Sequence, residues 1–350
     1  MHPHVLAITL GDPAGIGPEI TARTLAETPA SGQARGVAVG DAIALRRAVS
    51  ACGLEVDVRE IDSFATPPQE GSIDIVDTGA LGGRPVEWGV VDKRAGKAAV
   101  DAIEVATEAA MKGDAAAVVT GPINKEAIWA AGAKHLGHTE MLGELTGVTQ
   151  QDTMFVVGGA DDEHDLKIFF TTRHMSLAKA IEQLSTERIL ESIESSIRAL
   201  VVFGVEQPRF AVAALNPHGG ENGAFGDEEL TMIAPACELA RSRGHDVRGP
   251  IPADSVFHQG IQGRHDAVLS QFHDQGHIAA KTYDFNGTIS ITVGLPILRT
   301  SVDHGTAFDI AGQGVADHGT MRSAYLAAVR YAPRTDAIRQ AYGTPIGPMV

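Results

Sequence analysis

The chain has 350 residues, 44% of them hydrophobic, 21% charged and 5% aromatic, with 39 glycines, the composition of a globular chain with many tight turns rather than of a disordered one. Its formal net charge of −16 excludes a general binder of nucleic acid or of anionic membrane, because such polyanions select basic patches. A small anionic ligand stays open, provided that cations and backbone N–H groups cluster around it.

The first apolar run, Val5 to Leu10, is too short for a signal-peptide core and has no basic flank. No run reaches the roughly 20 apolar residues that cross a bilayer. Cys52 and Cys237 have neither metal nor disulfide-framework spacing. A reduced, soluble, cytoplasmic protein is expected, with no membrane and no nucleic-acid partner.

In chain order, Val5 to Leu10 reads as a strand that breaks at GDPAGIGPE (11–19) before a helix start in TARTLAET. Gly36 to Gly40 before DAIALRRAVSACG, and Ala115 to Thr120 before GPINKEAIWAAG, repeat the strand, loop and helix pattern. Such alternation predicts a largely parallel sheet covered on both faces. The turn-rich stretch from Pro67 to Pro85 reads as an excursion from that sheet or an extended arm. Lys167 to Thr171, Phe210 to Leu215, Ala267 to Ser270 and Ile289 to Val293 read as further strands, each ending at a polar motif. In open α/β sheets ligands sit beyond the carboxyl ends of strands. No linker separates two domains, so an interrupted arrangement is expected, 1–135 plus 285–350 against 136–284.

GDPAGIGPE is neither GxGxxG nor GxxxxGK[ST]. It serves either as a structural turn or as a ligand-facing loop, with Asp12 and Glu19 adding negative charge. In GHTEML, His138 and Thr139 stand at a helix start, where they can bind an anion or, for Thr139, simply cap the helix. His174, His218 and His273 each follow a predicted strand. Singly, each is most often a surface or hydrogen-bonded residue. Together, at one topological place, they match the three protein ligands of an open divalent-metal site.

His273 and His277 share the spacing of HExxH helices, but no glutamate lies between them and Gly276 opposes a helix there. His273 is therefore the expected ligand and His277 a supporting residue. Asp274 could orient a histidine, act in proton transfer, or cap a helix. Lys281 and Arg299, cations in an acidic chain, suit a phosphate or carboxylate.

Taken in order, GDPAGIGPE, TGPINKEA, GHTE, LNPHGGENG, DSVF, HDQGH and RTSVDHGTAFDIAG resemble the 4-hydroxythreonine-4-phosphate dehydrogenase family, from about residue 5 to 330. That family includes relatives acting on 4-phospho-D-threonate or 4-phospho-D-erythronate, and a more distant branch acting on a terephthalate dihydrodiol. The resemblance implies an isocitrate/isopropylmalate dehydrogenase-like fold, two α/β domains with the active site in the cleft between them. It also implies a homodimer whose interface shares the active site. The metal ligands would be His174, His218 and His273, holding Zn, Co, Ni or Mg. His138, Thr139, Lys281 and Arg299 would contact substrate, with Ser290 a further substrate-binding candidate. HGTAFDIAG is similar to the adenosine loop of isopropylmalate dehydrogenases, which makes Asp303, His304, Gly305, Thr306 and Asp309 the cofactor candidates for NAD or NADP. Asp254, Asp274 and Lys125 are the candidates for the general base.

The implied reaction is metal-assisted oxidation of 4-phosphohydroxy-L-threonine followed by decarboxylation to 3-amino-1-hydroxyacetone 1-phosphate, a step of pyridoxal phosphate biosynthesis. The alternative substrates are the two sugar-acid phosphates. One departure bears on the choice: the biosynthetic members carry asparagine where this chain has Ser290. The terephthalate branch loses the GHT residues and the arginine, so retention of His138, Thr139 and Arg299 favours a phosphorylated substrate.

Overall fold

The computed structural model describes residues 3–28, 33–158 and 165–343. Numbered along the chain, the strands are β1 (His4–Thr9), β2 (Ala34–Gly40), β3 (Asp57–Glu60), β4 (Ser72–Asp77), β5 (Ala117–Thr120), β6 (Asp152–Val157), β7 (Leu166–Phe170), β8 (Phe210–Ala213), β9 (Val247–Ile251), β10 (Ala267–Ser270), β11 (Ile289–Val293) and β12 (Leu298–Ser301). The helices are α1 (Gly17–Glu27), α2 (Ala42–Ala51), α3 (Lys93–Lys112), α4 (Lys125–Ala130), α5 (His138–Thr146), α6 (Leu177–Glu182), α7 (Thr186–Val202), α8 (Ala234–Ser242), α9 (Ala253–Ile261), α10 (His273–Tyr283), α11 (Gly319–Tyr331) and α12 (Thr335–Tyr342). Two compact units result, Met1–Asp152 with Ile289–Val350, and Thr153–Thr288.

In the first unit the strands run in the order β3-β4-β2-β1-β5-β12-β11. Neighbours are parallel except β11 and β12. Alternation along β2 assigns its faces. Val37 and Val39 join Ala7 and Val118 beneath α3, α4 and α5, whereas Ala38 joins Leu45 and Ala48 of α2 on the other side. Asp92 starts α3 by accepting the Arg94 N–H, and Gly113 ends it at φ 89°, the backbone conformation glycine enters without strain.

The second unit runs β6-β7-β10-β8-β9, parallel except for β6 with β7. Its core joins Ile168, Phe170, Ala211 and Val268 to Val256 and Phe257 of α9 and Ala280 of α10.

Three expectations change. The segment 67–85 is not wholly an excursion: SIDIVD is β4, paired with β2 and β3. Its alternation was masked by flanking glycines and prolines. HDQGH is helical throughout as the start of α10. Gly276 is there for close approach, since a Cβ would lie 2.7 Å from Phe170 Cε1 and 2.9 Å from Ile168 Cγ2. Finally, the division falls at 152/153 and 288/289 rather than at 135/136 and 284/285. Helix α5 belongs to the first unit because Met141 and Leu142 are buried with Ala99 and Ile103 of α3.

Candidate active site

Each unit carries one group of the predicted residues at the carboxyl ends of its strands. In the first unit the group centres on Arg299 of β12, which is only 6% exposed. Ladder partners across a sheet share a face. Arg299 lies opposite Thr292, and Ser301 opposite both Ser290 and Thr120, so one cation meets a ring of hydroxyls. Thr120 Oγ1 accepts from Arg299 Nε at 3.1 Å and Nη2 at 2.7 Å, and Thr292 Oγ1 accepts from Nη1 at 3.0 Å. Among the described residues no carboxylate pairs with it. Burial lowers its pKa from 12.5 to about 10, so it keeps its charge at neutral pH.

His138 begins α5, whose N-cap is Gly137. Its Nε2 is enclosed and has no hydrogen-bond partner. Burial first, and then the charge of Arg299, hold its pKa well below the usual value, so the ring is neutral. Thr139 is exposed in the first turn and does not cap the helix. Lys125, exposed at the start of α4, passes close to Gly137: a Cβ there would lie 3.9 Å from Lys125 Cε. A buried arginine set among hydroxyls, a neutral imidazole and a helix N-terminus together suit an anion.

The GDPAGIGPE loop is a fastening in the same unit. Ile16 N–H donates to Thr306 O at 3.0 Å. Glu19 accepts from Gly312 N–H at 2.5 Å and Gly314 N–H at 2.8 Å. The cofactor-candidate segment after β12, Asp303 to Asp309, is thereby held at its middle, Thr306, and just beyond its C-terminal end, at Gly312 and Gly314. Within it His304 Nδ1 meets Gly305 O at 2.9 Å, and a Cβ on Gly305 would meet nothing within 4 Å. Open backbone at Gly305, flanked by Asp303 and Asp309, suits a hydroxyl-rich group such as ribose.

In the second unit His273 and His174 approach with ring centroids 5.7 Å apart, on a cavity of about 240 Å³ lined also by Arg173, Met175, Phe272 and Asp274. Asp274 Oδ1 lies 2.7 Å from His273 Nδ1. An Nδ1–H donated to that carboxylate leaves Nε2 with the lone pair a metal needs. His277 stacks on His273 at 3.7 Å and meets Phe155 edge-on at 4.3 Å, fixing the ring plane. Lys281 stands in the last turn of α10, its Nζ 5.5 Å from the Phe285 ring. Asp254 is exposed in the first turn of α9.

His218 stands apart. It is 66% exposed and lies 3.3 Å from Glu221 Oε1, on a loop whose residues 218–222 all have positive φ. Among the described residues no group of three or more His, Cys, Asp or Glu side chains could hold a metal ion. His174 and His273 fit two nitrogen ligands of a borderline divalent ion, and His218 is not gathered with them.

Several working residues escaped the sequence reading. Gln271 Nε2 donates to Ala213 O at 2.8 Å and Gln275 Nε2 to Ala214 O at 2.7 Å. Gln271 Oε1 accepts from Thr171 Oγ1. These two amides staple the ends of β7, β8 and β10, from which the three histidine loops depart. Glu229, buried, accepts Leu215 N–H at 2.8 Å and Asn216 N–H at 2.7 Å. Burial alone would raise its pKa, but the Asn216 bonds hold it below the usual value. A groove of about 490 Å³ beside β3 has its arginines committed, Arg46 to Glu60 and Arg59 to Asp74, and carries no chemistry.

The model of the family described as "Pyridoxal phosphate biosynthetic protein PdxA" matches residues 32–328. The chain belongs to the PdxA family. A Cutibacterium acnes protein named "Putative D-threonate 4-phosphate dehydrogenase" is 52% identical over 97% of this chain and 96% of its own. The crystal structure of a Klebsiella pneumoniae 4-hydroxythreonine-4-phosphate dehydrogenase superposes with a TM-score of 0.85 at 42% identity, covering 94% of this chain and 98% of that one. A Burkholderia xenovorans terephthalate 1,2-cis-dihydrodiol dehydrogenase gives 0.62 at 29% identity, covering 94% and 98%. This PdxA chain is thus an enzyme of the dehydrogenase class with two α/β units. Among its described residues no helix is long and apolar enough to cross a membrane.

One residue of the PdxA fastening loop predicts a pH effect. Asp12 is fully buried; Oδ1 accepts Ala14 N–H at 2.8 Å, whereas Oδ2 has no partner. Burial raises its pKa from 3.8 to about 6, partly offset by the Ala14 bond, with Asp92 adding to the rise. The folded state therefore holds a proton that the unfolded chain has released, and stability falls as pH rises from 3.8 through about 6. The raised pKa corresponds to about 3 kcal/mol across that window. Urea unfolding of Asp12→Asn and the parent between pH 4 and 7 is expected to show the variant gaining relative stability as pH rises. Parallel pH profiles would remove Asp12 as the titrating group.

Proposed function

We propose that the chain oxidises a four-carbon, 4-phosphorylated hydroxy acid of the D-threonate 4-phosphate kind at its C3 hydroxyl, with NAD or NADP as oxidant and a divalent metal. The observation that carries the phosphorylated substrate is Arg299, buried and charged among hydroxyls with no carboxylate paired to it among the described residues. Its unused N–H groups are free for phosphate oxygens. The neutral His138 adds one more polar contact without competing for the anion. The preference for the threonate follows the name of the 52% identical relative, and Ser290 in place of the family's asparagine agrees with a substrate lacking the amine. The amino substrate, 4-phosphohydroxy-L-threonine, is the second reading, favoured by the name of the 42% identical crystal structure.

When bound, a divalent ion would lower the alcohol's pKa and stabilise both the alkoxide and the later enolate, and the nicotinamide would take the hydride. His174 and His273 would hold the ion, and His218, which the structure leaves apart from them, is the third ligand that the family resemblance implies; nitrogen ligands suit zinc, cobalt or nickel better than magnesium. Asp274 keeps His273 in the tautomer that presents Nε2. Lys125 and Asp254 are the exposed groups that would accept the hydroxyl proton. Oxidation at C3 gives a β-keto acid, and loss of its carboxyl carbon as CO₂ leaves a three-carbon keto phosphate. Asp303, His304, Gly305, Thr306 and Asp309 would receive the dinucleotide. The second unit exposes Leu177, Leu230, Ile278, Tyr283 and Phe285, which supports a homodimer, and the enzyme would work in the cytoplasm.

The test follows NADH formation with 4-phospho-D-threonate and 4-phosphohydroxy-L-threonine side by side, after chelation and with metals restored singly. Metal-dependent turnover favouring the threonate is expected. Preference for the amino acid would transfer the enzyme to the biosynthetic reaction, and turnover of neither would end the proposal.

A further inference from the structure

We infer that Thr120 and Ser301 form a directed hydroxyl relay that aims Arg299, which makes Thr120 a positioning residue for the anionic end of the substrate. The direction follows from the chemistry of its ends. A guanidinium only donates and a backbone carbonyl only accepts. Thr120 Oγ1 receives both the Nε–H and the Nη2–H of Arg299, at 3.1 and 2.7 Å. Its own O–H must then turn away, and it donates to Ser301 Oγ at 2.9 Å. Ser301 in turn donates to Val302 O at 2.9 Å. No hydroxyl in this chain can reverse without leaving two hydrogens facing each other.

Sheet register sets the relay. Thr120 and Ser301 are ladder partners at the ends of β5 and β12, and both are at most 4% exposed. Water therefore does not substitute for either. A guanidinium carries five N–H donors. The two on Thr120 and the one on Thr292 leave two uncommitted, enough for a bidentate contact with phosphate or carboxylate. A carboxylate in the place of Thr120 would orient the guanidinium equally well but would neutralise it. Hydroxyls orient it and leave its charge for the ligand. The relay ends on the carbonyl immediately before the 303–309 segment, so the anion contact and the cofactor-candidate loop share one fixed strand end.

This inference rests on the proposal that Arg299 binds the substrate's phosphate, so the experiment separates the two. Inorganic phosphate serves as the probe, read as protection against thermal unfolding and as competitive inhibition, in the full-length parent and in Thr120→Val, Thr120→Ser, Ser301→Ala and Arg299→Gln. Thr120→Val keeps the β-branched shape and removes the acceptor. It is expected to weaken phosphate and raise KM about ten- to hundredfold, the effect of losing a buried hydrogen bond to a charged group, with kcat changed far less. Thr120→Ser is expected to restore both. Should Thr120→Val fail to fold, Ser301→Ala decides, with a smaller loss in the same direction expected. Parental phosphate binding in Thr120→Val, or in Ser301→Ala where that variant decides, would overturn the relay while leaving Arg299 as the anion contact. Undiminished binding in Arg299→Gln would overturn the anion site itself, whatever substrate the enzyme uses.

Discussion

Replacing Arg299 with glutamine is expected to lower kcat/KM for the phosphorylated substrate by roughly 10²- to 10³-fold, the range for removing one partner of a desolvated, hydrogen-bonded charge pair. The same change should leave the melting temperature equal or higher. Arg299 is buried with no counter-carboxylate among the described residues, and such a charge costs stability that a neutral amide does not. Opposite movements of activity and stability are the signature of a residue retained for its ligand. Arg299→Lys should recover little, because an ammonium cannot reach Thr120, Thr292 and the phosphate with a planar fork. Steady-state kinetics with thermal melts checks this, and a glutamine variant with parental kcat/KM would remove Arg299 from the substrate.

His218→Ala is expected to abolish metal-dependent turnover while changing unfolding free energy by no more than about 0.5 kcal/mol, as for surface substitutions generally. The side chain is 66% exposed and lies 3.3 Å from Glu221 Oε1, so the fold has little to lose. What it has instead is an unusual backbone: residues 218–222 all lie in the left-handed region. Such strain persists where surrounding structure over-determines it, and the Glu229 carboxylate on Leu215 and Asn216 does so at the loop's root. His273→Ala should be equally inactive. Asp274→Asn should instead weaken metal binding by roughly 10- to 100-fold, the usual effect of losing a ligand's carboxylate partner. Metal content after dialysis separates the variants from one another. Full activity and metal content in His218→Ala would remove it from the ligand set.

Much of the architecture was legible because local pattern and fold agree. Strand, loop and helix alternate from β1 to α4, and the three histidines follow β7, β8 and β10 because polar residues cannot continue a strand buried on both faces. The strand β4 was hidden by flanking Gly and Pro, and α10 by Gly276, whose missing side chain serves packing on Phe170 rather than flexibility. HDQGH showed its histidines openly. The scaffold role of Gln271 and Gln275 was not visible, since an amide's partners are backbone carbonyls that carry no sequence signature.

By itself the sequence determined the class of the protein: α/β, acidic, with cations and imidazoles at strand ends and motifs in the PdxA order. Only the tertiary structure decided which hydroxyls surround Arg299. Thr120 and Arg299 are 179 residues apart, and they meet because β12 lies between β5, to which it is parallel, and β11, to which it is antiparallel. Strand adjacency is settled by packing of whole faces, with a period of two along each strand, and a threonine that ends one strand gives no sign of which distant strand will lie against it.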